Sequence, residues 1–565
     1  MANRRDFLKT AVAATVSAIP TTASGLHAIS GAGTKSRGID LLRAPNHVSA
    51  RFGTMDVVRM QYAARAWTCL GVRVSAEPIQ AGQGIELPVR VINEGKNLTY
   101  LHLRWEGTEG DAPLLLGDAW ERSYGDLEWR GIVPERVMPW YFLTFDGAHV
   151  NGYGVKTQPS AFCFWQSDPE GITLSIDLRN GGEATELGDR ELNACTVVTR
   201  MGTKGETIWR AGKEFCGLMC RTPRLPERPL FGVNDWNYAY GKNTASGILR
   251  DADLIASLAP SGKARPYVVI DDGWQDTARF PSMPDLAAQI RSRDLLAGLW
   301  IRPLRPGSEV DSLWLLPDNR FGKASPHNNL ALDPTIPEAL GEAMKSVLQA
   351  TEWGYSFIKH DFSTYELFGR WGSVMQAQVT TPGWHFHDRS RTNAEIVRDL
   401  YQAIRAAGGE QATILGCNTI GHIAAGIFES QRIGDDTSGR DWERTRRFGV
   451  NTLAHRMVQH RTFSHIDPDI VAMTLAVDWR ETSQWMDVVA RSGTSLFLSP
   501  DPSAITSEIK SAMKDAMALS AQAGQGFPLY PTTGTTPTQW QFPNPSRVDK
   551  TYDWCGRQGA TPFDV

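Results

Sequence analysis

Between residues 230 and 498, eight short apolar runs alternate with segments of helical period. The runs are Leu230–Val233, Tyr267–Ile270, Leu295–Ile301, Tyr355–Ile358, Thr413–Leu415, Ile427–Ile433, Thr462–Ile466 and Thr494–Leu498. Strand-like runs separated by helices are βα units, and eight of them in succession predict an α/β fold closed into a (β/α)8 TIM barrel. One helix is marked at both ends. Thr392-Asn-Ala-Glu395 is a capping box, Ile396, Val397, Leu400, Tyr401 and Ile404 form an apolar stripe, and Gly408-Gly409 stops it. Two spacings are irregular: an extra loop of about 362–390 follows the fourth run, and the fifth and sixth runs lie too close for a full helix between them.

The rest of the chain reads differently. From 40 to 220 the period is two, as in Ile85-Glu-Leu87-Pro-Val89-Arg-Val91 and Ile172-Thr-Leu174-Ser-Ile176-Asp-Leu178, with turns at Asn93-Glu-Gly95 and Asn180-Gly-Gly182. That pattern predicts an N-terminal antiparallel β-sandwich. Three prolines in Arg221–Pro229 keep the connection to the barrel, expected over 229–515, extended. A short C-terminal β-type segment, 516–565, is rich in Pro, Thr and Gly and carries Trp540 and Trp554.

Arg4 and Arg5, followed by Phe7, Leu8 and Lys9 and then an apolar run from Thr10 to Ile19, resemble a twin-arginine export signal over 1–28. The expected location is periplasmic or secreted, with no membrane attachment once the signal is removed. The 58 basic and 62 acidic side chains leave a net charge of −4, which argues against nucleic acid as a partner. Seven cysteines scattered over 565 residues do not look like a disulfide framework, although Cys216 and Cys220 are spaced for a local pair. They lack the further ligands of a structural zinc site.

In a barrel of this kind the reacting groups sit at the carboxyl ends of the strands. The first seven runs end there in residues that are costly to bury unpaired. In order these are Asn234-Asp235-Trp236, Asp271-Asp272-Gly273-Trp274, Trp300-Ile-Arg302-Pro303, Lys359-His360-Asp361, Cys417-Asn418, Arg432-Ile-Gly-Asp435-Asp436 and His465-Ile-Asp467-Pro-Asp469. Two carboxylates, aromatic walls and hydroxyl-binding side chains are the requirements of glycoside hydrolysis. One acid must be ionised and the other protonated. Lys359 lies two positions before Asp361 on the same strand face, where its cation would favour a charged Asp361. Asp435 favours a protonated Asp436 and Arg432 opposes it, so the sequence leaves that sign open.

Ile270-Asp-Asp-Gly-Trp274, Phe357-Ile-Lys-His-Asp-Phe362 and Arg432-Ile-Gly-Asp-Asp-Thr437 resemble motifs of the clan D α-galactosidases, glycoside hydrolase families 27 and, more closely, 36, and of raffinose synthases. The resemblance covers roughly 229–510 and includes the preceding sandwich. It implies Asp361 as nucleophile and Asp436 as acid/base, Asp271 and Asp272 on O4 and O6 of a terminal galactose, Lys359 on O3 and O4, and Arg432 on O2. Trp236 and Trp274 would wall the pocket, with Trp300 and Asn418 also on the substrate. The substrate is then an oligosaccharide or glycoside, and no cofactor or metal is implied. Arg302 stands where the family usually has an acid, and Cys417-Asn418-Thr-Ile replaces its glycine-rich C-S-G-G. These departures keep open a different glycone, such as α-N-acetylgalactosamine, and galactosyl transfer in place of hydrolysis.

Each motif also has a plainer reading. Asp271 or Asp272 can cap the next helix, Lys359 and Asp361 can be a structural ion pair, and Arg432 with Asp436 a surface i,i+4 pair. His360 alternates with Lys359 and Asp361 and is expected to face the helices as a hydrogen-bonded packing residue. Tyr365, Phe368, Trp371, Trp384 and Phe386 are loop packing or a subsite for the leaving sugar. A noncatalytic sugar-binding protein on an inherited barrel is the alternative of another class.

Overall fold

Period-two alternation builds two antiparallel sheets of six and nine strands between His47 and Arg200. They meet face to face through fully buried aromatics, with Phe142 of one sheet 6.0 Å from Trp165 of the other. The Asn180-Gly-Gly182 turn joins a small hairpin, Arg179–Asn180 with Glu183–Ala184. This computed structural model describes residues 38–556 apart from 82–83, 96, 111, 308, 325–329, 523 and 545–546. The expected export signal, 1–28, lies outside the described residues. Among the described residues no helix is long and apolar enough to cross a membrane, and all seven cysteines are free thiols, Cys216 and Cys220 included.

After the extended 221–229 connection the chain forms nine parallel strands: β1 Phe231–Asn234, β2 Tyr267–Ile270, β3 Leu296–Ile301, β4 Phe357–His360, β5 Thr413–Gly416, β6 Ser430–Arg432, β7 His465–Asp467, β8 Ile470–Met473 and β9 Leu496–Pro500. They make eight staves, because the seventh is broken at Pro468-Asp469. Its first half, β7, pairs with β6, and its second half, β8, pairs with β9, which pairs back to β1 and closes the ring. Asp469 at the break has φ +76°, a left-handed conformation unusual for a residue with a side chain. The capping box, the apolar stripe and the Gly409 stop all hold in the helix Asn393–Gly408. Only the short turn of helix Gly421–Ala424 separates β5 from β6, as their spacing predicts.

The barrel interior fixes which way every strand-end residue points. Tyr267, Val269, Phe357, Leu415, Ile470 and Phe497 form an apolar cluster of their own inside the staves. Each such side chain contributes roughly 1.5–3 kcal/mol on burial. A strand alternates faces, and a one-residue slip would send every one of these outward. Inward Val269 therefore carries Asp271 inward, Phe357 carries Lys359 and Asp361, and Leu415 carries Cys417. Beyond the barrel, Gln525–Pro528, Gln539–Asn544 and Val548–Thr551 form a three-stranded antiparallel sheet. Trp540 and Trp554 are buried there, both indoles donating to the carbonyl of Pro537.

Candidate active site

Asp361 leaves the end of β4 just before Phe362, whose φ of +69° turns the chain sharply. The turn aims the Phe362 N–H at Asp361 Oδ1, 2.8 Å away. The indole of Trp300, on the inward face of β3, donates to Oδ2 at 3.0 Å. Each carboxylate oxygen is thus held by one donor. Arg302 lies over the Phe362 ring at 4.4 Å and ion-pairs with Glu366 on the following helical turn, Ser363–Phe368.

The neighbouring strand ends are tied into one network. Lys359 Nζ donates to Asp271 Oδ2 at 2.6 Å, and Asn234 Nδ2 donates to the same oxygen at 2.8 Å. The lysine's partner is therefore Asp271 and not Asp361, which corrects the sequence expectation. Asp271 is also held by the Asp272 N–H and is 3% exposed, whereas Asp272 is half-buried and its carboxylate accepts from the Gly273 N–H. Gly273 has φ +110°, and a Cβ there would meet Asn243 Oδ1 at 2.5 Å, so the Asp-Asp-Gly-Trp turn admits glycine alone. Behind it, burial and then the charge of Asp271 push Asp235 up to about 7. Trp274 is anchored by its indole on the carbonyl of Trp300 and packs edge-on against Trp353. Half-buried Trp236 caps the apolar interior beside Tyr240.

Arg432 is no surface ion pair: it is 2% exposed and meets three carboxylates, Asp467 at 3.0 Å, Asp469 at 2.5 Å and Asp436 at 3.4 Å. The broken seventh stave makes this possible. Asp467 and Asp469 flank the break and converge on one guanidinium, which gives the Asp467-Pro-Asp469 segment a role its sequence alone does not reveal. Asp436 is the most open acid of the group, its side chain 40% exposed. Burial opposes its charged form, but the cations of Arg122, Arg432, Lys359 and Arg444 outweigh that, and its pKa is lowered. In the ligand-free site the sign left open by the sequence thus leans toward the ionised form, and Asp436 must take up a proton before it can act as an acid.

Arg122 comes from the irregular segment between the N-terminal strands Leu114–Gly117 and Met138–Pro139. Ser123 and Gly434 form an isolated parallel bridge, with Ser123 N–H on the Ile433 carbonyl and Asp435 N–H on the Ser123 carbonyl. This bridge holds Glu121 and Arg122 at the barrel mouth. Arg122 bridges Asp435 at 3.0 Å and Asp436 at 3.3 Å, lies 5.6 Å from the Trp371 ring and reaches Cys417 Sγ at 3.9 Å. Glu121 accepts from Asn418 Nδ2, while Asn418 Oδ1 accepts from the Tyr365 N–H. Asn418 has no exposed surface. Expected as a substrate ligand, it is instead a brace between the N-terminal sheets and the 362–371 loop. Sequence reading missed Glu121 and Arg122 entirely. Their one signal is a charged pair between aromatics, Trp120-Glu-Arg-Ser-Tyr124, in a region of strand period.

His360 does face the helices, edge-on to Tyr401 and Phe428, but both its ring nitrogens lack hydrogen-bond partners. Burial pushes it down to about 4, so it is a neutral packing residue. In the long loop Phe368, Trp384 and Phe386 are buried packing, whereas half-buried Tyr365 and Trp371 stack at 4.3 Å beside Phe362. Among the described residues no group of three or more His, Cys, Asp or Glu is placed to hold a metal ion.

Burial pushes Glu366 up to about 7, against the opposing pull of Arg302. A raised acid stabilises the fold below its unfolded value near 4.5, and that contribution, on the order of 3 kcal/mol, disappears as pH rises through 7. Glu366→Gln keeps an acceptor for Arg302 but cannot titrate. In urea unfolding between pH 4 and 8, the stability of the wild type relative to this variant should fall with rising pH. A constant difference would contradict the assignment.

No family model matches this chain. Its fold is similar to solved α-galactosidase structures. TtGalA from Thermus thermophilus, in complex with p-nitrophenyl α-D-galactopyranoside, is 18% identical with a TM-score of 0.60 over 90% of this chain and 99% of that one. The same enzyme in complex with stachyose gives 18% and 0.57 over 79% and 97%. The glycoside hydrolase family 36 α-galactosidase AgaA from Geobacillus stearothermophilus, in complex with 1-deoxygalactonojirimycin, gives 15% and 0.57 over 88% and 79%. The architecture is that of a TIM barrel behind an antiparallel sheet domain.

Proposed function

We propose that this chain is an exported retaining α-glycosidase acting on terminal α-linked galactose. The observation that carries the reading is the pair of acids beyond the ends of alternate staves, β4 and β6: Asp361, each oxygen held by a donor, and open Asp436, flanked by two guanidinium groups. Asp361 attacks the anomeric carbon as the Asp436 proton passes to the leaving oxygen, which breaks the glycosidic bond and forms a β-linked glycosyl-enzyme. Asp436 then takes a proton from water, whose oxygen displaces Asp361 and restores the α configuration. Half-exposed Asp272 is the free acid of its pair for sugar hydroxyls, and Trp236 and Trp274 supply apolar walls. The likeness to α-galactosidase folds supports the choice of glycone. The decisive experiment follows product configuration by proton NMR on an aryl α-galactoside: α-galactose as first product supports the reading, and β-galactose overturns retention.

Arg302 favours a second reading, in which the glycone or the acceptor differs, because it puts a cation where the resembling enzymes usually have an acid. A panel of aryl α-glycosides separates the two, since absence of preference for the galactoside would remove galactose from the proposal.

Arg122 sets the pH at which the acid step runs. Removing one cation from Asp436 raises its proton affinity, so the protonated acid persists to higher pH. In Arg122→Gln the alkaline limb of kcat/KM should move up by about one pH unit. An unmoved limb would mean that Arg122 does not act on the proton-donating group.

A further inference from the structure

The end of the barrel opposite the candidate acids holds a cavity of about 220 Å³. Three stretches of chain meet there, each where a stave begins: 226–230 leading into β1, Arg461 and His465 at the start of β7, and 493–494 leading into β9. Ser520, the last residue of the helix Ser507–Ser520, also lines it. The buried groups in this lining are polar and short of partners. His465 is 4% exposed and neither of its ring nitrogens has a hydrogen-bond partner, and the hydroxyl of buried Ser520 has none either. A buried group left in that state costs about 1–3 kcal/mol. Burial, and then the charge of Arg461, push His465 down to about 3, so its imidazole is neutral and carries one N–H donor. The ring of His460, 4.9 Å away, accepts the Ile466 N–H and is held neutral in the same way, by burial and then by its charged neighbours.

Two exposed arginines stand at the rim. Among the described residues neither Arg228 nor Arg461 has a carboxylate within ion-pair distance. Arg461 acts electrostatically on His460, His465 and Lys213, and Arg228 on the phenol of Tyr267 at the start of β2, so both guanidinium groups face this end of the barrel. Arg461 has φ +62°. That left-handed backbone costs about 1–2 kcal/mol for a residue with a side chain, and asparagine or glycine would adopt it more easily, yet a long cation stands there. Glu227 is the one carboxylate in the lining, against two guanidinium groups. Two unpaired guanidinium groups, an imidazole N–H and a hydroxyl around one small cavity are the donors that an oxyanion needs, and the same charges repel a metal cation.

We propose that this cavity binds a phosphate group, free or as a phosphomonoester, between Arg228, Arg461, His465 and Ser520. The site is at the far end of the staves from Asp361 and Asp436 and stands whether or not the chain is a galactosidase. Calorimetric titration of the whole chain with inorganic phosphate and, separately, with glucose 6-phosphate tests it, at about 0.15 M salt, where exposed charges more than ~8 Å apart are largely screened. Saturable binding to one site is expected for at least one of the two. Arg461→Asn, whose new side chain suits the left-handed backbone, and Arg228→Gln should each weaken it about tenfold, the worth of one charge-assisted hydrogen bond. Ser520→Ala should weaken it by a smaller factor, and Glu227→Gln should strengthen it. Phosphate should also raise the Tm of the wild type more than that of the variant lacking both arginines. Tighter binding of the ester identifies a phosphomonoester as the occupant, and equal or weaker binding identifies free phosphate. No saturable heat with either compound, or wild-type affinity in both arginine variants, overturns the proposal.

Discussion

Asp361→Ala should lower turnover of p-nitrophenyl α-galactoside by about 10⁴-fold or more, the scale on which removal of a nucleophile acts. The geometry makes this the largest expected effect. Both Asp361 oxygens are oriented, one by the Trp300 indole and one by the Phe362 N–H, and two buried acids nearby are already paired. Asp271 is committed to Lys359 and Asn234, and Glu366 to Arg302. Alanine leaves a space beside the anomeric carbon with the rest of the network in place. Azide should enter that space and restore turnover, with β-galactosyl azide as the product. Rescue with that configuration identifies Asp361 as the group that attacks, and it removes the noncatalytic sugar-binding alternative. Full activity in the alanine variant would end the double-displacement proposal.

Asp436→Ala should cost about 10²–10⁴-fold on substrates whose leaving group needs a proton. The loss should be much smaller on an aryl galactoside with an acidic phenol, because that leaving group departs as the anion. The ratio between stachyose and an activated aryl galactoside is therefore the measurement to make. A merely structural Asp436 would depress both alike. The structure gives reason to expect a clean result: Asp436 is half-open, while its neighbour Asp435 is buried and shared between Arg122 and Arg444. Asp435→Asn serves as the comparison, since it disturbs the same arginines without removing the open carboxyl.

Barrel order and strand direction were legible because apolar parity along a strand is a local property. Once Phe357 is inward, Lys359 and Asp361 must be inward as well, and the same holds for Val269 with Asp271. The exact partners were not legible. Lys359 reads as a companion of Asp361 because the two are close in sequence, yet its ammonium reaches past β3 to the end of β2, where an inward acid lies within 2.6 Å. Asn418 reads as a substrate ligand because it stands at a strand end, but Glu121, nearly 300 positions earlier, occupies its amide. No spacing rule can find Arg122, because the single bridge that delivers it joins residues that share no local pattern. The broken seventh stave is a mixed case: Asp467-Pro-Asp469 announces an interruption, since proline removes a ladder donor, but that both acids turn back on Arg432 depends on the left-handed Asp469.

The docking of Ser123 alongside Ile433 and Asp435 has a consequence for anyone who recombines such molecules. A graft made at the proline-rich 221–229 connection would look neutral, since it cuts no barrel element, yet it would exchange the counter-ion of the proton donor along with the β-rich half. Chimeras built there should inherit their acidity preference from the amino-terminal parent and their sugar preference from the carboxy-terminal one.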